Sequence, residues 1–414
     1  MSVLTVYRSE LHGGITLPVS KSEAHRAVIC SSLAVMRQDS ISLGNTESLA
    51  DDIIITRSAM RDLMSGRREI YCGESGSTLR FLVPLAAALG RSVVFTGCGR
   101  LPERPLREYA KAFEGKGTEL RFPDRASLFL PLEINGRLQP GVFEMPGNVS
   151  SQYISGLLMA LPLLAGDSRI VLTSSLESSG YVDITIEVMR RFGVRVIRSG
   201  NVFDVKGSQK YSDIEYIVEG DYSAAAFWIT ANYLGSDVTL KGLSEDSLQV
   251  DRNIIELIRN FSDLRDAKRS GSTNCPSPVI SIDVSEIPDL VPAISVAAAA
   301  TDAVTIISNA SRLRLKESDR IVSTAQLIRS IGGTAEETSD GLKITGHDGL
   351  FRGGHADPFR DHRIAMAAAV AGTYSLNGVS ISGYNCVAKS YPDFFEDLIK
   401  AGGVVNGFSD RRQP

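Results

Sequence analysis

The sequence predicts an α/β protein of two domains, in each of which one unit of strands and helices occurs three times. The first observation behind this prediction is an internal repeat. Six segments begin with a polar turn and continue as an Ala-rich helix that is apolar nearly all round, and their starts recur every roughly fifty to seventy-odd residues. A helix without a polar face must be buried on all sides. Six unrelated core helices would explain the apolar faces but not the regular spacing.

The six apolar helices begin at polar turns, where an N-cap would satisfy the first backbone N–H groups. They run from Ser22 to Val35, Ser75 to Leu89, Ser150 to Leu164, Asp221 to Leu234, Pro288 to Ala300 and Asp361 to Ala371. If the three helices of one domain lie side by side and parallel, their N-termini converge. They then present free N–H groups and positive dipole ends, which favour an anionic ligand.

The second observation is a set of amphipathic helices between the apolar ones, each with a single apolar stripe. They are predicted at about 50–64, 105–115, 181–192, 250–261, 316–331 and 391–401. Gly follows most of them closely, as is common just after a helix C-terminus. Short β-like runs such as 92–96, 194–197 and 304–307 fill the remaining chain. The predicted unit is therefore strand, buried helix, strand, surface helix and further strands.

Chain length sets the number of domains. With 414 residues the chain is too long for one ordinary core, so two domains are expected. Six units split into three and three, and the division falls near residues 219–221. We therefore predict an N-terminal domain of residues 13–219 and a C-terminal domain that includes residues 220–414. The first dozen residues contain a strand, 4–7, that on sequence alone could pair with either half.

Composition excludes several functional classes. The net charge of −4 gives no general attraction to nucleic acid or to an anionic membrane, and no apolar run is as long as a membrane span. The N-terminus shows no signal peptide, so we expect a cytoplasmic protein. Its five cysteines, among them Cys98 and Cys275, are scattered and outside any CxxC spacing. We interpret them as reduced thiols, and no constellation of metal ligands is visible.

A dense run of charges occupies residues 312–320, with four cations and two carboxylates in nine residues. Such a run is usually a solvated face. Here, however, cations outnumber anions where a helix is predicted to start, and the helix dipole would favour the reverse. An anionic ligand would explain the arrangement.

Other helix starts carry residues that suit an anion, which makes a cationic site in a net-acidic protein. They are Lys21, Ser22, Arg26, Ser75, Gly76, Ser77, Arg80, Ser150, Ser151, Gln152 and the run Asp361-His362-Arg363, with Arg104 and Lys389 in nearby loops. The pattern indicates a small polyanion as ligand. Neither GxGxxG nor GxxxxGK[ST] follows a predicted strand, so a Rossmann or P-loop nucleotide site has no support. Sites divided between two halves suggest a cleft that closes on its ligand.

Two carboxylates, Asp289 and Glu317, stand among these cations. Each alone is a candidate salt-bridge partner. Together with Lys21 in one cleft, they would offer a proton donor and a proton acceptor without a metal.

Seven motifs in order give the chain a resemblance to the EPSP synthase family, the 3-phosphoshikimate 1-carboxyvinyltransferases, from about Gly14 to Leu398. Each motif lies at or near a predicted helix start. The motifs are Pro18-Val19-Ser20-Lys21-Ser22 with Arg26, the run Gly73 to Arg80, Glu103-Arg104-Pro105, Ser150-Ser151-Gln152-Tyr153, the run Arg314 to Arg320, the run Asp361 to Ala367, and Lys389-Ser390-Tyr391-Pro392.

The resemblance implies a two-domain inside-out α/β barrel in which each domain has three βαβαββ repeats. It also implies that residues 1–12 belong with residues 220–414. The implied reaction transfers the enolpyruvyl group of phosphoenolpyruvate to the 5-hydroxyl of 3-phosphoshikimate, in the shikimate pathway to chorismate and the aromatic amino acids. On this basis we expect no cofactor, two small-molecule substrates, a cytoplasmic location and a monomer.

The resemblance also implies a role for individual residues. Those expected to contact phosphoenolpyruvate are Lys21, Gly76, Arg104, Gln152, Arg320, Arg363 and Lys389. Those expected to contact 3-phosphoshikimate are Ser22, Arg26, Ser150, Ser151, Ser178, Tyr181, Asp289 and Lys316. Asp289 is the implied base for the hydroxyl, while Glu317 and Lys21 handle the proton at the methylene carbon.

Some positions depart from the family pattern. Glu74 and Arg312 stand where the family usually has Asn, and Ser179-Gly180 replaces a basic residue followed by Pro. The main alternative is UDP-N-acetylglucosamine 1-carboxyvinyltransferase, which has a reactive Cys in the loop that here carries Cys98. The pair Lys316-Glu317 favours the shikimate enzyme. An RNA-binding or RNA-modifying protein with related repeats would require a basic surface, which the net charge argues against.

Overall fold

The protein consists of two compact units. This computed structural model describes residues 2–35, 41–43, 48–104, 106–123, 128–270 and 278–409. One unit, here called the N-terminal unit, is Val19–Glu219, and the other, the C-terminal unit, combines Met1–Pro18 with Gly220–Pro414. Each unit has its own hydrophobic core.

Helices form within the described residues near the predicted positions. They are α1 (Lys21–Val35), α2 (Asp51–Ser65), α3 (Gly76–Ala88), α4 (Arg107–Ala112), α5 (Ser151–Ala160), α6 (Ser179–Arg191), α7 (Tyr222–Tyr233), α8 (Ile254–Arg269), α9 (Val291–Ala299), α10 (Arg320–Ser330), α11 (His362–Thr373) and α12 (Phe394–Lys400). The predicted apolar helices are α1, α3 and α5 in the N-terminal unit and α7, α9 and α11 in the C-terminal unit. Nearly every residue of α3, α5, α7, α9 and α11 is buried, so the prediction of buried helices is confirmed.

The strands are short and lie around these helices. They are β1 (Val3–Tyr7), β2 (His12–Thr16), β3 (Ile41–Ser42), β4 (Glu69–Tyr71), β5 (Val93–Thr96), β6 (Thr118–Arg121), β7 (Leu132–Gly136), β8 (Val142–Met145), β9 (Ser168–Leu172), β10 (Val196–Ser199), β11 (Val202–Val205), β12 (Tyr216–Ile217), β13 (Asp237–Lys241), β14 (Val279–Asp283), β15 (Val304–Ser308), β16 (Thr334–Glu337), β17 (Leu342–Thr345), β18 (Gly354–Ala356), β19 (Val379–Ser382) and β20 (Val404–Asn406). Many alternate buried and exposed residues, which is typical of a sheet with one face on the core.

One sheet topology occurs four times. The sheets β4-β5-β7-β6, β10-β11-β9-β8, β14-β15-β17-β16 and β18-β19-β1-β20 each join a parallel pair to two antiparallel pairs. In each parallel pair the crossover contains one of the buried helices. Two separate two-stranded parallel sheets, β2 with β13 and β3 with β12, complete the strands of the described residues.

The N-terminal strand closes the last sheet of the C-terminal unit. In this sheet β1 lies between β19 and β20 and is antiparallel to both. The following strand, β2, pairs with β13 over residues 12–16, so residues 13–18 also pack with the C-terminal unit. The compact units therefore divide after residue 18, six residues later than the predicted domain boundary, because the backbone at 13–16 belongs to a strand.

The surface helices differ from the prediction mainly at their ends. The helix predicted at 316–331 begins only at Arg320, because Asp319 accepts a hydrogen bond from the Val322 N–H and acts as its N-cap. Residues 311–315 form a separate 3₁₀ turn. Most cations of the charged run therefore precede the helix, and the argument that they occupy its first turn is wrong. At the other end, Gly66 and the glycines at 193, 332 and 402 take positive φ after their helices, as predicted.

Close packing of α3 against α5 generates a stability prediction. At Gly156 an added methyl group would meet the Arg80 carbonyl oxygen and would lie 2.5 Å from the Tyr109 hydroxyl. We expect Gly156→Ala to reduce the free energy of unfolding by about 1–3 kcal/mol, as overpacking of a core does. Chemical denaturation measures this change. As a control, Gly349→Ala should change it by less than about 0.5 kcal/mol, because its methyl would meet nothing closer than 3.6 Å; equal effects of the two variants would contradict the packing argument.

Candidate active site

The start of α3 in the N-terminal unit is a turn surrounded by cationic side chains. Ser75 caps the helix, and Gly76 is its first residue. A Cβ atom on Gly76 would lie 2.8 Å from an Nη1 atom of Arg104 and 2.9 Å from that of Arg80. Two guanidinium groups therefore face the backbone of a helix N-terminus, where only a glycine leaves room. This combination of cations, N–H groups and dipole suits a phosphate or carboxylate.

The start of α5 joins this turn through Gln152. The Arg80 Nη1 atom donates to Gln152 Oε1 at 2.8 Å, and Gln152 Nε2 donates to Ser77 Oγ at 2.9 Å. Ser150 is the N-cap of α5, because its hydroxyl accepts from the Gln152 N–H. The structure therefore brings together Gly76, Arg104, Ser150, Ser151 and Gln152, all predicted site residues.

Lys21 lies at the start of α1 and forms an ion pair with Asp52, with 3.0 Å between Nζ and Oδ2. Both side chains are almost buried, so each charge offsets part of the desolvation cost of the other. Ser22 follows Lys21 in the first turn of the same helix.

Arg26 makes more hydrogen bonds within the N-terminal unit than an arginine needs if it only binds a ligand. Its guanidinium donates to Thr185 Oγ1 at 2.6 Å, to the Tyr181 carbonyl at 2.8 Å and to the Ser22 carbonyl. Burial lowers the pKa of Arg26 to about 10. It thus positions Ser22 and the start of α6, where Ser178 and Tyr181 lie.

A buried chain of hydroxyl groups fixes the starts of α1, α2 and α3 relative to one another. The His25 Nδ1 atom lies 2.7 Å from Thr56 Oγ1, which lies 2.6 Å from Thr78 Oγ1. Thr78 in turn donates to the Ser75 hydroxyl at 2.8 Å. Because burial lowers the pKa of His25 to about 3, this ring is neutral at ordinary pH and serves as a hydrogen-bonding group.

In the C-terminal unit, Arg320 is the centre of a charged cluster. Its side chain is 1% exposed. The Nε atom donates to Asp361 at 2.9 Å, Nη1 donates to Asp289 at 2.7 Å, and Nη2 donates to Glu317 at 2.8 Å. Burial alone would lower the pKa of Arg320, but the three carboxylates outweigh this effect and raise it above the ordinary value.

Asp289 and Glu317 each contact further cations. The second oxygen of Asp289 accepts from Arg363 at 2.8 Å, and Lys316 Nζ lies 3.5 Å from the first. The Lys389 ammonium lies 3.8 Å from Glu317. Burial would raise the pKa of Asp289, but Arg363, Lys316 and Arg320 hold it well below its ordinary range. Burial lowers the pKa of Lys316 in spite of Asp289. These contacts bring together all six predicted site residues of this unit.

The two units use different caps at these helix starts. In the N-terminal unit α3 and α5 have serine caps, Ser75 and Ser150, which leave the positive end of each helix available to an anion. In the C-terminal unit α7 and α11 are capped by Asp221 and Asp361. These carboxylates lie at the positive ends of the helix dipoles. Cations in turn lie beside Asp361. The helix starts of the two units therefore differ in charge, although the sequence pattern predicted the same anion-favouring ends in both.

Two residues near the site, Asp52 and Asp251, were missed as functional candidates in the sequence. Arg80 and Asp361 were noted at helix starts and lie inside recognised motifs, but neither was assigned to a substrate. Asp52 and Asp251 lie at the N-termini of surface helices and approach the site only through tertiary packing. Asp251 accepts a short hydrogen bond from Ser223 at the start of α7.

The departures from the family pattern lie beside the site. The Tyr71 hydroxyl donates to the exposed Cys98 thiol at 3.1 Å, and the hydrogen bond raises the pKa of Tyr71. Arg312 donates to the Ser285 carbonyl, in the 3₁₀ turn before α10. Glu74 approaches Gly99 in the loop before Arg104. Cys275 and Pro105 lie outside the described residues.

Comparison with known proteins decides the family. A model of the EPSP synthase (3-phosphoshikimate 1-carboxyvinyltransferase) family matches residues 41–398. The chain belongs to this family. A 3-phosphoshikimate 1-carboxyvinyltransferase of Clostridium acetobutylicum is 40% identical to it over 422 residues, which cover 96% of this chain and 97% of the relative. One from Clostridium kluyveri is 39% identical, with 99% of each chain covered.

Solved structures confirm the fold class. EPSP synthase from Acinetobacter baumannii matches 98% of this chain and 100% of its own with a TM-score of 0.76, at 24% identity. The family is one of transferases, as predicted, and the comparisons do not favour the nucleotide-sugar alternative. No helix among the described residues is both long enough and apolar enough to cross a membrane.

The buried carboxyl of Asp251 generates a prediction about pH. Burial and the charge of Asp289 raise its pKa to about 6. The folded protein therefore favours the protonated form of Asp251. The stabilisation that comes from this protonation is lost as pH rises through about 6. Relative to wild type, Asp251→Asn should gain up to about 3 kcal/mol in free energy of unfolding between pH 4 and pH 7. Urea titrations of both proteins across this range measure the difference. A difference that stays constant with pH would contradict a protonated Asp251.

Proposed function

We propose that this protein transfers the 1-carboxyvinyl group of phosphoenolpyruvate to the 5-hydroxyl of 3-phosphoshikimate, releasing phosphate and 5-enolpyruvylshikimate 3-phosphate. The match to 3-phosphoshikimate 1-carboxyvinyltransferases over almost the whole chain carries the proposal. The charged clusters support it, because both substrates are anions and the clusters offer arginines, lysines and helix N-termini. Products of this reaction would feed the synthesis of chorismate and the aromatic amino acids.

Phosphoenolpyruvate carries a phosphate and a carboxylate. For these groups we assign Lys21, Gly76, Arg104 and Gln152 of the N-terminal unit, with Arg80 added from its contact with Gln152. From the C-terminal unit we assign Arg320, Arg363 and Lys389. Arginine binds both carboxylate and phosphate with two parallel hydrogen bonds, which orients the substrate as well as neutralising it.

The assigned contacts of 3-phosphoshikimate are mainly hydroxyl groups. They are Ser22, Ser150, Ser151 and Ser178, with Arg26, Tyr181, Asp289 and Lys316. The intramolecular hydrogen bonds of Arg26 support a positioning role for much of its guanidinium, with Ser22 presented to the ligand. The αL backbone of Ser178 at the start of α6 supports a specific orientation for this residue.

Three groups carry the proton transfers in this proposal. Asp289 remains ionised at ordinary pH, so it accepts a hydrogen bond from the 5-hydroxyl. It takes the proton only as the new C–O bond forms and the oxygen becomes acidic. Glu317 and Lys21 deliver a proton to the methylene carbon of phosphoenolpyruvate and remove one from the resulting methyl group when phosphate leaves. No metal or organic cofactor takes part.

Further assignments rest on the same proposal. We assign residues 19–219 and residues 1–18 with 220–414 to the two domains, and we expect a cytoplasmic monomer. The rival activity on UDP-N-acetylglucosamine would use a loop cysteine as a chemical group. Cys98 is exposed and contacts Tyr71, and none of the assigned cations in the described residues pairs with it.

Phosphate release tests the proposed reaction directly. Purified protein with phosphoenolpyruvate should release phosphate when 3-phosphoshikimate is added and should release none above background with UDP-N-acetylglucosamine. Omitting phosphoenolpyruvate provides the control for contaminating phosphatase. Turnover with the nucleotide sugar alone would overturn the assignment.

A further inference from the structure

A pocket of about 680 Å³ opens between α4 and β8 of the N-terminal unit. One wall is formed by α4 and the turn that follows it. The other is formed by β8 and the segment that leads from β8 to α5. None of the residues assigned to substrate lines this pocket, hereafter the α4–β8 pocket. Its volume lies within the range of small-molecule sites, about 300–1,000 Å³.

Charged side chains of both signs line the α4–β8 pocket. The anions are Glu108, Glu114 and Glu144, and the cations are Lys111 and Lys116. In the parts of the chain that the structure describes, these five side chains form no ion pair with one another. The Lys116 Nζ atom lies 5.0 Å from the centroid of the Phe143 ring. Opposite charges that line one cavity without pairing are available to a ligand that carries both.

Apolar surface lies between these charges. Val142 is 52% exposed and Val149 is 41% exposed, and Pro146 lies beside them in the same wall. Water contact with these side chains is unfavourable, and an apolar group of a ligand would remove it. The lining thus matches a molecule with an ammonium group, a carboxylate and an apolar body.

Both walls are continuous with the candidate active site. The α4 helix begins three residues after Arg104, and Val149 immediately precedes Ser150, the cap of α5. In addition, Tyr109 of α4 donates its hydroxyl to the Arg80 carbonyl at 2.5 Å and lies 3.1 Å from the Tyr153 carbonyl. A shift of α4 or of residues 146–149 would therefore be transmitted to Arg104, Arg80 and the start of α5.

We propose that the α4–β8 pocket is a binding site for a small apolar zwitterion, a free α-amino acid or a short peptide, and that occupancy changes the affinity for phosphoenolpyruvate. The first part stands on the pocket alone. The second part rests on the proposed function, because it requires that Arg104 and Gln152 contact this substrate. Such coupling is reciprocal, so phosphoenolpyruvate would change the affinity for the zwitterion by the same factor.

Isothermal titration calorimetry of the full chain tests binding without any assay of activity. The probes are L-leucine and leucyl-leucine, which separate an amino acid from a peptide. N-acetyl-L-leucine lacks the ammonium group and L-leucinamide lacks the carboxylate. We expect at least one zwitterion to bind at millimolar concentration or below, and each matched analogue to bind about tenfold more weakly, as loss of a charged hydrogen bond predicts.

Variants locate the site. Glu144→Gln and Lys111→Gln should each weaken binding by about fivefold to tenfold. Glu245→Gln, an exposed glutamate outside the pocket, should leave it unchanged. The proposed site is overturned if neither zwitterion binds. It is also overturned if the blocked analogues bind as tightly as the zwitterions, or if neither pocket variant changes the affinity. If binding occurs but the KM for phosphoenolpyruvate does not change, the coupling is refuted while the binding site stands.

Discussion

The buried guanidinium of Arg320 is the interaction on which the C-terminal unit's functional geometry depends. It lies at the first position of α10 and holds Asp361 at the start of α11, Asp289 before α9, and Glu317. Buried carboxylates without this partner would face a large desolvation cost. One side chain therefore fixes three helix starts relative to one another. It also orients the two carboxylates assigned to catalysis.

The two units also differ in where their charges lie, because their helix caps differ. Serine caps at α3 and α5 add no charge, so the N-terminal unit combines free helix dipoles with Arg80 and Arg104. Aspartate caps at α7 and α11 neutralise the dipoles of the C-terminal unit and require buried cations beside them. The same repeat thereby provides a cationic turn suited to an anion in one unit and a balanced ionic cluster in the other. In the second cluster, the low pKa of Asp289 follows from its three cations rather than from exposure to water.

Much of the fold was predictable because its strongest signals are local and periodic. Apolar helices such as α9, their polar starts and the glycines after surface helices can each be recognised in a short window of sequence. The helix at 316–331 was predicted too long because charge pattern alone does not distinguish a 3₁₀ turn from a helix; the cap at Asp319 decides it. The boundary at residue 18 depends on the pairing of β2 with β13, which are far apart in the chain. Likewise, Asp251 comes near the site through tertiary packing, with a hydrogen bond from Ser223, so no local pattern identifies it.

The fork-shaped guanidinium of Arg320, and not merely its positive charge, fixes the geometry of the carboxylates around it. Steady-state kinetics of Arg320→Lys, together with circular dichroism to verify folding, measure how much activity depends on this geometry. A lysine cannot bind three carboxylates in this geometry, so kcat/KM for phosphate release should fall by about a hundredfold or more, as loss of two charge-assisted hydrogen bonds implies. Arg190→Lys, in an exposed ion pair with Glu187, provides a matched control and should stay near wild type. A folded Arg320→Lys protein with kcat/KM within a few-fold of wild type would contradict the claim.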